Sequence, residues 1–113
     1  MTLEELRKQI DVLDRQLVDL LSKRAEAALE AGRLKVATSL PIYEPLREKT
    51  IYENIRTANQ GPLPDIELTS IFERIIDVMR SLQKNELVNK RNAQASVPGQ
   101  GAGVQSPETG NKQ

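Results

Sequence analysis

The sequence predicts an all-α fold: a three-helix chain with a very long first helix, which pairs with a second copy as an intertwined homodimer, a six-helix bundle. Three observations lead to this prediction. Apolar residues recur at helical spacing in three segments, and no segment shows the alternation that is typical of a strand. Segments that contain proline, which cannot continue a helix, separate them. The first segment is also too long for the other two to cover.

The first helix is predicted between Leu3 and Leu40. Thr2, followed by two glutamates, is typical of a helix start, because a threonine can cap the first turn and acidic side chains stabilise the positive end of the helix dipole. Pro41 prevents further continuation of the helix. One apolar stripe follows the four-three spacing of a helix–helix contact: Leu6, Ile10, Leu13, Leu17 and Leu20.

The length of this helix predicts the homodimer. At about 36 residues it would be roughly 54 Å long, well beyond the size of a compact domain of this mass. The two shorter helices cannot cover the whole stripe, and a second copy of the chain is the simplest source of the missing cover. The alternative is a monomer in which the helix is kinked or partly exposed.

The second helix is predicted to begin around Glu44 or Pro45, since proline is favoured in a first turn, and to end at the Gln60–Pro64 segment. The third is predicted to open near Asp65, with that residue as its N-cap, and to fade near Asn89. Its apolar face is broad and contains Leu68, Ile71, Phe72, Ile75, Ile76, Met79 and Leu82.

Two parts of the chain differ in composition. Residues 1–90 carry the helical periodicity and are predicted to form one domain. Residues 91–113 are rich in glycine, proline, serine and glutamine, and they show no apolar periodicity. We therefore expect a disordered tail over 91–113.

The composition excludes several classes of function. The 113 residues include 16 basic and 16 acidic side chains, no histidine and no cysteine. Balanced charge argues against a partner nucleic acid, and no apolar run approaches the roughly 20 residues that cross a membrane. Absent cysteine fits a cytoplasmic protein, and without histidine and cysteine there is no Ser-His-Asp triad, no thiolate and no expected metal site. Catalysis would depend on arginine, lysine, carboxylates and amides.

Cations interrupt the apolar stripe of the first helix. Arg24 takes the next stripe position, and the same face continues through Ala28 and Ala31 to Lys35. Eleven residues are nearly three turns, so the two cations face the same way, roughly 16 Å apart along the axis. Inward cations separated by small alanines predict a cavity for a small anion. Gly32 indicates close approach by another chain or a ligand, or else a tolerated glycine on a solvated face.

Polar residues also continue the apolar faces of the other two helices. Glu44, Arg47 and Glu48 precede the stripe of the second helix, and Gln83 follows Met79 on the third. Taken singly, each could be a surface ion pair or a boundary residue. Together they predict a site for a small polyanion that also carries a hydroxyl. Without a nucleophile–base pair, such a site would shape its substrate and stabilise charge in the transition state.

These residues resemble the all-helical class of chorismate mutases. The resemblance covers residues 3–88, in order and with the family's spacing. It is carried by Leu6-Arg7-Lys8-Gln9-Ile10, Leu13-Asp14, Leu20-Leu21-Ser22-Lys23-Arg24, Gly32-Arg33-Leu34-Lys35, Pro41-Ile42-Tyr43-Glu44-Pro45-Leu46-Arg47-Glu48 and Ile71-Phe72-Glu73-Arg74-Ile75-Ile76 through Gln83.

The resemblance implies an intertwined dimer of three-helix chains and the Claisen rearrangement of chorismate to prephenate, the step towards phenylalanine and tyrosine. That reaction needs no cofactor. By position, Arg24 and Arg47 would bind the two substrate carboxylates, with Arg7 reaching in from the other subunit. Lys35 and Gln83 would donate hydrogen bonds to the ether oxygen.

Two positions depart from the family's usual pattern. Glu48 and Glu44 would hold the substrate hydroxyl or orient the cations around it, but the best-known bacterial members carry an aspartate where Glu44 stands. Some members carry a hydroxyl residue where Met79 stands. Methionine cannot donate that hydrogen bond, so we expect a backbone donor or a tighter, drier pocket there.

Two other interpretations of the function stay open. Isochorismate pyruvate lyase shares this fold and a related pericyclic mechanism, although Glu48 and the Gly-x-x-Lys segment fit the mutase pattern well. A non-catalytic helical dimerisation or regulatory module could use buried charges to fix register and partner choice. The Tyr43–Glu48 segment also resembles the mutase domain that some bacteria fuse to the first enzyme of the shikimate pathway, so association with a pathway enzyme is a further expectation.

Overall fold

The computed structural model describes residues 1–95, which form three α-helices: α1 (Leu3–Ala37), α2 (Pro45–Ala58) and α3 (Asp65–Ala95). Residues 1–95 contain no strand, so the predicted all-α class is confirmed. The third helix packs against both of the others. No helix in this part of the chain is long and apolar enough to cross a membrane.

The predicted start of α1 is confirmed by a capping box. The backbone N–H of Glu5 donates to Oγ1 of Thr2 at 3.1 Å, and the backbone N–H of Thr2 donates to Oε1 of Glu5 at 2.7 Å. Each side chain thereby satisfies a backbone donor that the first turn leaves unpaired. Hydrogen bonds from the backbone N–H and from the side chain of Thr2 lower the pKa of the Glu5 carboxyl.

The helix α1 ends at Ala37, earlier than the predicted Leu40. The backbone N–H of Leu40 donates to the carbonyl of Lys35 at 2.8 Å, and that of Ser39 donates to the carbonyl of Val36 at 3.3 Å. These two bonds form a Schellman motif, in which a left-handed residue closes the helix. Ser39 is that residue, with φ of 60°. A local turn therefore stops the helix before the proline does.

Replacing Ser39 by glycine is expected to stabilise the protein by about 0.5–1 kcal/mol, because glycine adopts the left-handed conformation without the steric cost of a Cβ. Urea unfolding monitored by circular dichroism measures the change. The matched control is Thr38→Gly, because Thr38 has φ of −104° and gains nothing from glycine. Equal effects of the two substitutions would contradict the assignment of strain to Ser39.

The helix α2 begins at Pro45, as predicted, with Glu44 as the residue before it. The connection to α3 is held by Asn59, whose Nδ2 donates to the carbonyl of Leu63 at 2.8 Å and to Oδ1 of Asp65 at 2.7 Å. Asp65 is the first residue of α3, whereas the sequence predicts it as the N-cap. Its carboxylate pairs with Asn59 rather than capping the helix.

The end of α3 corrects two predictions. The helix continues to Ala95, past the predicted end near Asn89, so residues 91–95 of the predicted disordered tail are helical. The segment contains good helix formers and no proline before residue 98. In addition, Nζ of Lys90 donates to the carbonyl of Val36 at 3.0 Å and ties α3 to the end of α1. The remainder of the predicted tail lies outside the described residues.

The buried part of the chain lies where the C-terminal half of α1 packs against α3. Val36, Ile76 and Met79 are its buried apolar side chains, and Gln83 is buried among them. In contrast, the five stripe residues of the N-terminal half of α1 are 42–60% exposed. Neither α2 nor α3 covers this stripe, which is the situation that the length of α1 predicts. The intertwined dimer itself stays a prediction.

Candidate active site

A cavity of about 390 Å³ lies between the C-terminal half of α1, the start of α2 and the middle of α3. Its size falls in the range of about 300–1,000 Å³ that is typical of small-molecule sites. Ala27, Ala28 and Ala31 leave the space open on the α1 side. Seven of the eight predicted site residues line it: Arg24, Lys35, Glu44, Arg47, Glu48, Met79 and Gln83.

Lys35 is the centre of a hydrogen-bond network on the cavity wall. Its Nζ lies 2.9 Å from Oε1 of Gln83 and 3.2 Å from the carbonyl oxygen of Ile42. It also lies 2.9 Å from Oε2 of Glu44. The turn at Ser39 makes this possible, because it directs the chain after α1 back towards its last turns. All three N–H groups of the ammonium are thus used, and Lys35 is only 14% exposed.

Gln83 joins α3 to α1 at the same place. Its Nε2 donates to the backbone carbonyl of Ala28 at 2.9 Å, while its Oε1 accepts from Lys35. The amide is therefore oriented by two partners, and among the described residues the second N–H of Nε2 has no acceptor.

Gly32 permits this arrangement. A Cβ at position 32 would lie 2.9 Å from Cγ of Gln83 and 3.2 Å from both its Cα and its Cβ. Two helix backbones approach closely here, which requires a residue without a side chain. The sequence analysis predicts close approach by another chain or a ligand, or else a solvated face. The structure corrects both interpretations, because Gly32 is buried and the neighbour that approaches it is α3 of the same chain.

Arg24 and Arg47 form the cationic side of the cavity. Burial lowers the pKa of the Arg24 guanidinium, and the positive charge of Arg47 lowers it further. Within residues 1–95, neither guanidinium forms an ion pair with a carboxylate. Two neighbouring cations without a counter-ion, one of them half-buried, favour the binding of an anion with two negative groups.

Arg80 is a site residue that the sequence analysis missed. Its Nη2 pairs with Oε2 of Glu48, and Arg80 also lines the cavity. The guanidinium of Arg80 additionally lies 5.0 Å from the ring centroid of Tyr43, and its Nη1 lies 3.4 Å from Oδ1 of Asp77. The one signal in the sequence is that Arg80 follows Ile76 by four residues, which places it at the edge of the apolar face.

Arg7 is the predicted site residue that one chain does not bring to the cavity. It is exposed near the start of α1, and its Cα lies roughly 25 Å along the helix axis from that of Arg24. Its predicted role depends on a second subunit and stays a prediction.

The charge of the cavity can be counted from its lining. Arg24, Lys35, Arg47 and Arg80 contribute four positive charges, and Glu44 and Glu48 two negative ones, so the net charge is +2. Met79 and the alanines add apolar surface, which makes these charges interact more strongly than in water. Among the described residues, no group of three or more His, Cys, Asp or Glu side chains could hold a metal ion. The fold and the cavity thus define an all-helical protein with a cationic cavity of the size of a small-molecule site.

Comparison with known proteins identifies the family. The family model for chorismate mutase type II matches residues 6–84, and the chain belongs to this family. Over 86 residues it is 40% identical to the bifunctional chorismate mutase/prephenate dehydratase of Aquifex aeolicus. This match covers 73% of this chain and 24% of that protein. Over 91 residues it is 33% identical to the chorismate mutase of Methanocaldococcus jannaschii. This match covers 80% of this chain and 92% of that protein.

A solved structure agrees with these matches. The chorismate mutase of Helicobacter pylori, solved in complex with prephenate, superposes with a TM-score of 0.69 at 37% sequence identity, over 76% of this chain and 93% of that one. The chain thus spans nearly the whole length of the single-domain relatives but about a quarter of the bifunctional ones.

Proposed function

We propose that this chain catalyses the rearrangement of chorismate to prephenate, as a homodimer and without a cofactor. The observation that carries the proposal is the cavity itself. A pair of arginines without counter-ions lies in the same cavity as the Lys35–Gln83 hydrogen bond, and the net charge of +2 matches a substrate with two carboxylates. Family membership and the prephenate complex of the Helicobacter pylori enzyme support it.

Binding would begin with the two carboxylates. Arg24 and Arg47 offer planar guanidinium groups that match carboxylates in bidentate geometry. Neutralising both arginines removes the mutual repulsion that lowers the pKa of Arg24. The same contacts hold the enolpyruvyl group over the ring, and such ordering of a flexible substrate can remove several kcal/mol from a barrier.

The chemical step would then depend on Lys35 and Gln83. In the rearrangement an ether C–O bond breaks while a new C–C bond forms, and the ether oxygen gains negative charge. The ammonium of Lys35 and the second N–H of Gln83 would donate to this oxygen. No proton is transferred in this step, so none of the lysine, arginine and glutamate side chains of the cavity has to act as an acid or a base.

Lys35 must release one of its three acceptors before it can donate to the substrate. Ile42 offers a backbone carbonyl and Gln83 is buried, whereas the Glu44 side chain is 44% exposed. Glu44 is therefore the partner that exchanges, since water can solvate its carboxylate when it leaves. In the free enzyme it orients the cation, one of the two roles that the resemblance implies.

Dimer formation would complete the site. The apolar stripe of α1 is uncovered in one chain. Pairing two long helices would bury it and could bring the partner's Arg7 to the cavity. The expected cytoplasmic location and association with another pathway enzyme also stay predictions. The fusion of the Aquifex aeolicus relative to a prephenate dehydratase supports the latter.

Introducing a charge into the stripe is expected to dissociate the dimer. Leu13→Glu places a carboxylate at the centre of the proposed helix–helix contact, where burying an unpaired charge costs several kcal/mol, roughly 3 or more. Sedimentation analysis should show a monomer, together with a lower melting temperature. Arg15→Glu, on the opposite face of the same helix, is the matched control and should stay dimeric. A monomeric wild type would contradict the proposal directly.

The decisive experiment is product identification with purified protein. We expect chorismate absorbance to disappear and prephenate to appear in equal amounts. Pyruvate from isochorismate, without prephenate from chorismate, would assign the lyase activity instead. With neither reaction, and no thermal shift on adding a bicyclic dicarboxylate that mimics the transition state, the chain would be a non-catalytic dimerisation module.

A further inference from the structure

Arg80 is a charged residue of the cavity to which neither the family resemblance nor the proposed reaction assigns a role. We propose that Arg80 is a positioning residue: its guanidinium holds Oε2 of Glu48, so that this carboxylate stays ionised and its Oε1 faces the substrate hydroxyl as an acceptor. This inference rests on the proposed function. It adds a residue to that site and predicts a pH dependence that is absent from the wild type.

The guanidinium of Arg80 is fixed from three sides. It pairs with Glu48 on α2, stacks over the Tyr43 ring at 5.0 Å and contacts Asp77 on its own helix at 3.4 Å. Arg80 is 23% exposed and Glu48 is 20% exposed. A guanidinium held in this way fixes the position of the carboxylate oxygen that it binds.

One oxygen of Glu48 is left for a ligand. Oε2 accepts from Arg80, whereas Oε1 accepts no hydrogen bond from another residue within the described part of the chain. Glu48 also lines the cavity. An ionised Oε1 is an acceptor, which matches a hydroxyl donor. A protonated Glu48 would instead present a donor of its own.

Charge balance explains why the partner of Glu48 must be a cation. Five charged side chains line the same cavity as Glu48: Arg24 and Lys35 on α1, Glu44 before α2, Arg47 on α2 and Arg80 on α3. Tyr52 interacts electrostatically with Glu48, and also with Glu73 and Asp77 on α3. A bound dianion would neutralise the excess charge of +2. Without Arg80 the excess would be +1, and the bound complex would carry a net negative charge around a largely buried carboxylate. That environment favours protonation of Glu48.

The test compares the pH dependence of kcat for Arg80→Gln and the wild type. The ordinary pKa of glutamate is about 4.3. If the loss of Arg80 raises the pKa of Glu48, kcat of the variant should fall about 10-fold or more between about pH 8 and about pH 5, while the wild type stays flat. Arg80→Lys, which keeps the charge, should restore the flat profile. Arg74→Gln, a matched change at an exposed position of α3, should behave as the wild type.

A double variant distinguishes a positioning role of Arg80 from a purely structural one. In the double variant Arg80→Gln with Glu48→Gln, no carboxylate is left to titrate, so the acid limb should disappear. A uniform loss of kcat at every pH, with a lower melting temperature, would mean that Arg80 only fastens α2 to α3, and it would overturn the inference. If the wild type converts no chorismate, the proposed function has failed instead.

A second substitution serves if Arg80→Gln does not fold. Arg80→Met keeps the unbranched apolar stem and removes the charge, so kcat of this variant should show the same acid limb. A flat profile at a lower kcat would overturn the inference.

Discussion

Replacing Lys35 by alanine is expected to lower kcat for chorismate by about 10³-fold, while the chain stays folded and dimeric. Removal of one preorganised donor to a developing oxyanion typically costs about 10²–10³-fold. Lys35 would lie at the upper end, because it carries a full charge and also orients the amide of Gln83 through a 2.9 Å hydrogen bond. Steady-state kinetics at saturating chorismate measures the effect.

Some loss of stability accompanies this change, since the buried Gln83 loses one hydrogen-bond partner, which costs about 1–3 kcal/mol. Circular dichroism and sedimentation should nevertheless show a folded dimer. Lys23→Ala is the matched control, because Lys23 lies one position before Arg24 but pairs with Asp19 on the exposed face of α1. Lys35→Ala with kcat within about tenfold of the wild type would refute the role of Lys35, given the size of such donor effects.

Replacing Gly32 by alanine is expected to destabilise the protein by about 1 kcal/mol and to lower kcat about tenfold. On an open helix face, the same change stabilises by about 1 kcal/mol. Here the new Cβ would meet Cγ of Gln83 at 2.9 Å and its Cα at 3.2 Å, so α1 and α3 must separate slightly. The sign of the change in stability therefore tests the close approach, and the kinetics test its link to the site.

A double-mutant cycle with Gln83→Ala tests whether the new Cβ at position 32 clashes with the Gln83 side chain. Alanine at position 83 removes the Cγ that lies closest to the new Cβ, so the two substitutions together should destabilise less than the sum of the single changes. Urea unfolding provides the free energies. A higher melting temperature and unchanged kcat for Gly32→Ala would show that α3 does not press on Gly32.

The sequence determined the helices and the residues that face inward from each of them. Local periodicity is enough for this, because 3.6 residues per turn decide which side chains share a face. Arg24 and Lys35, eleven positions apart, therefore had to point the same way. Thr2 and Pro45 carry the start signals of α1 and α2, which are also local: a capping side chain and a proline that is favoured in a first turn.

Helix ends were less predictable than helix faces. The end of α1 depends on Ser39 adopting φ of 60°. Serine rarely takes this conformation, and no feature of the sequence predicts it here. The extension of α3 to Ala95 has only a weak local signal, because the segment contains good helix formers but no apolar periodicity. A tertiary contact adds to it, since α1 contributes a backbone acceptor to Lys90. Proline and composition alone had suggested a later end for α1 and an earlier one for α3.

The tertiary structure decided which inward-facing groups meet. Lys35 and Gln83 are 48 positions apart, and Glu48 and Arg80 are 32 apart, so neither pair follows from spacing on one helix. From α3 alone, Arg80 would be predicted to pair at the surface with Asp77, three residues before it. Only the packing of α2 against α3 brings it to Glu48. A chain fixes its own helix faces through backbone geometry, whereas hydrogen bonds between helices depend on how closely those faces approach, which here Gly32 allows.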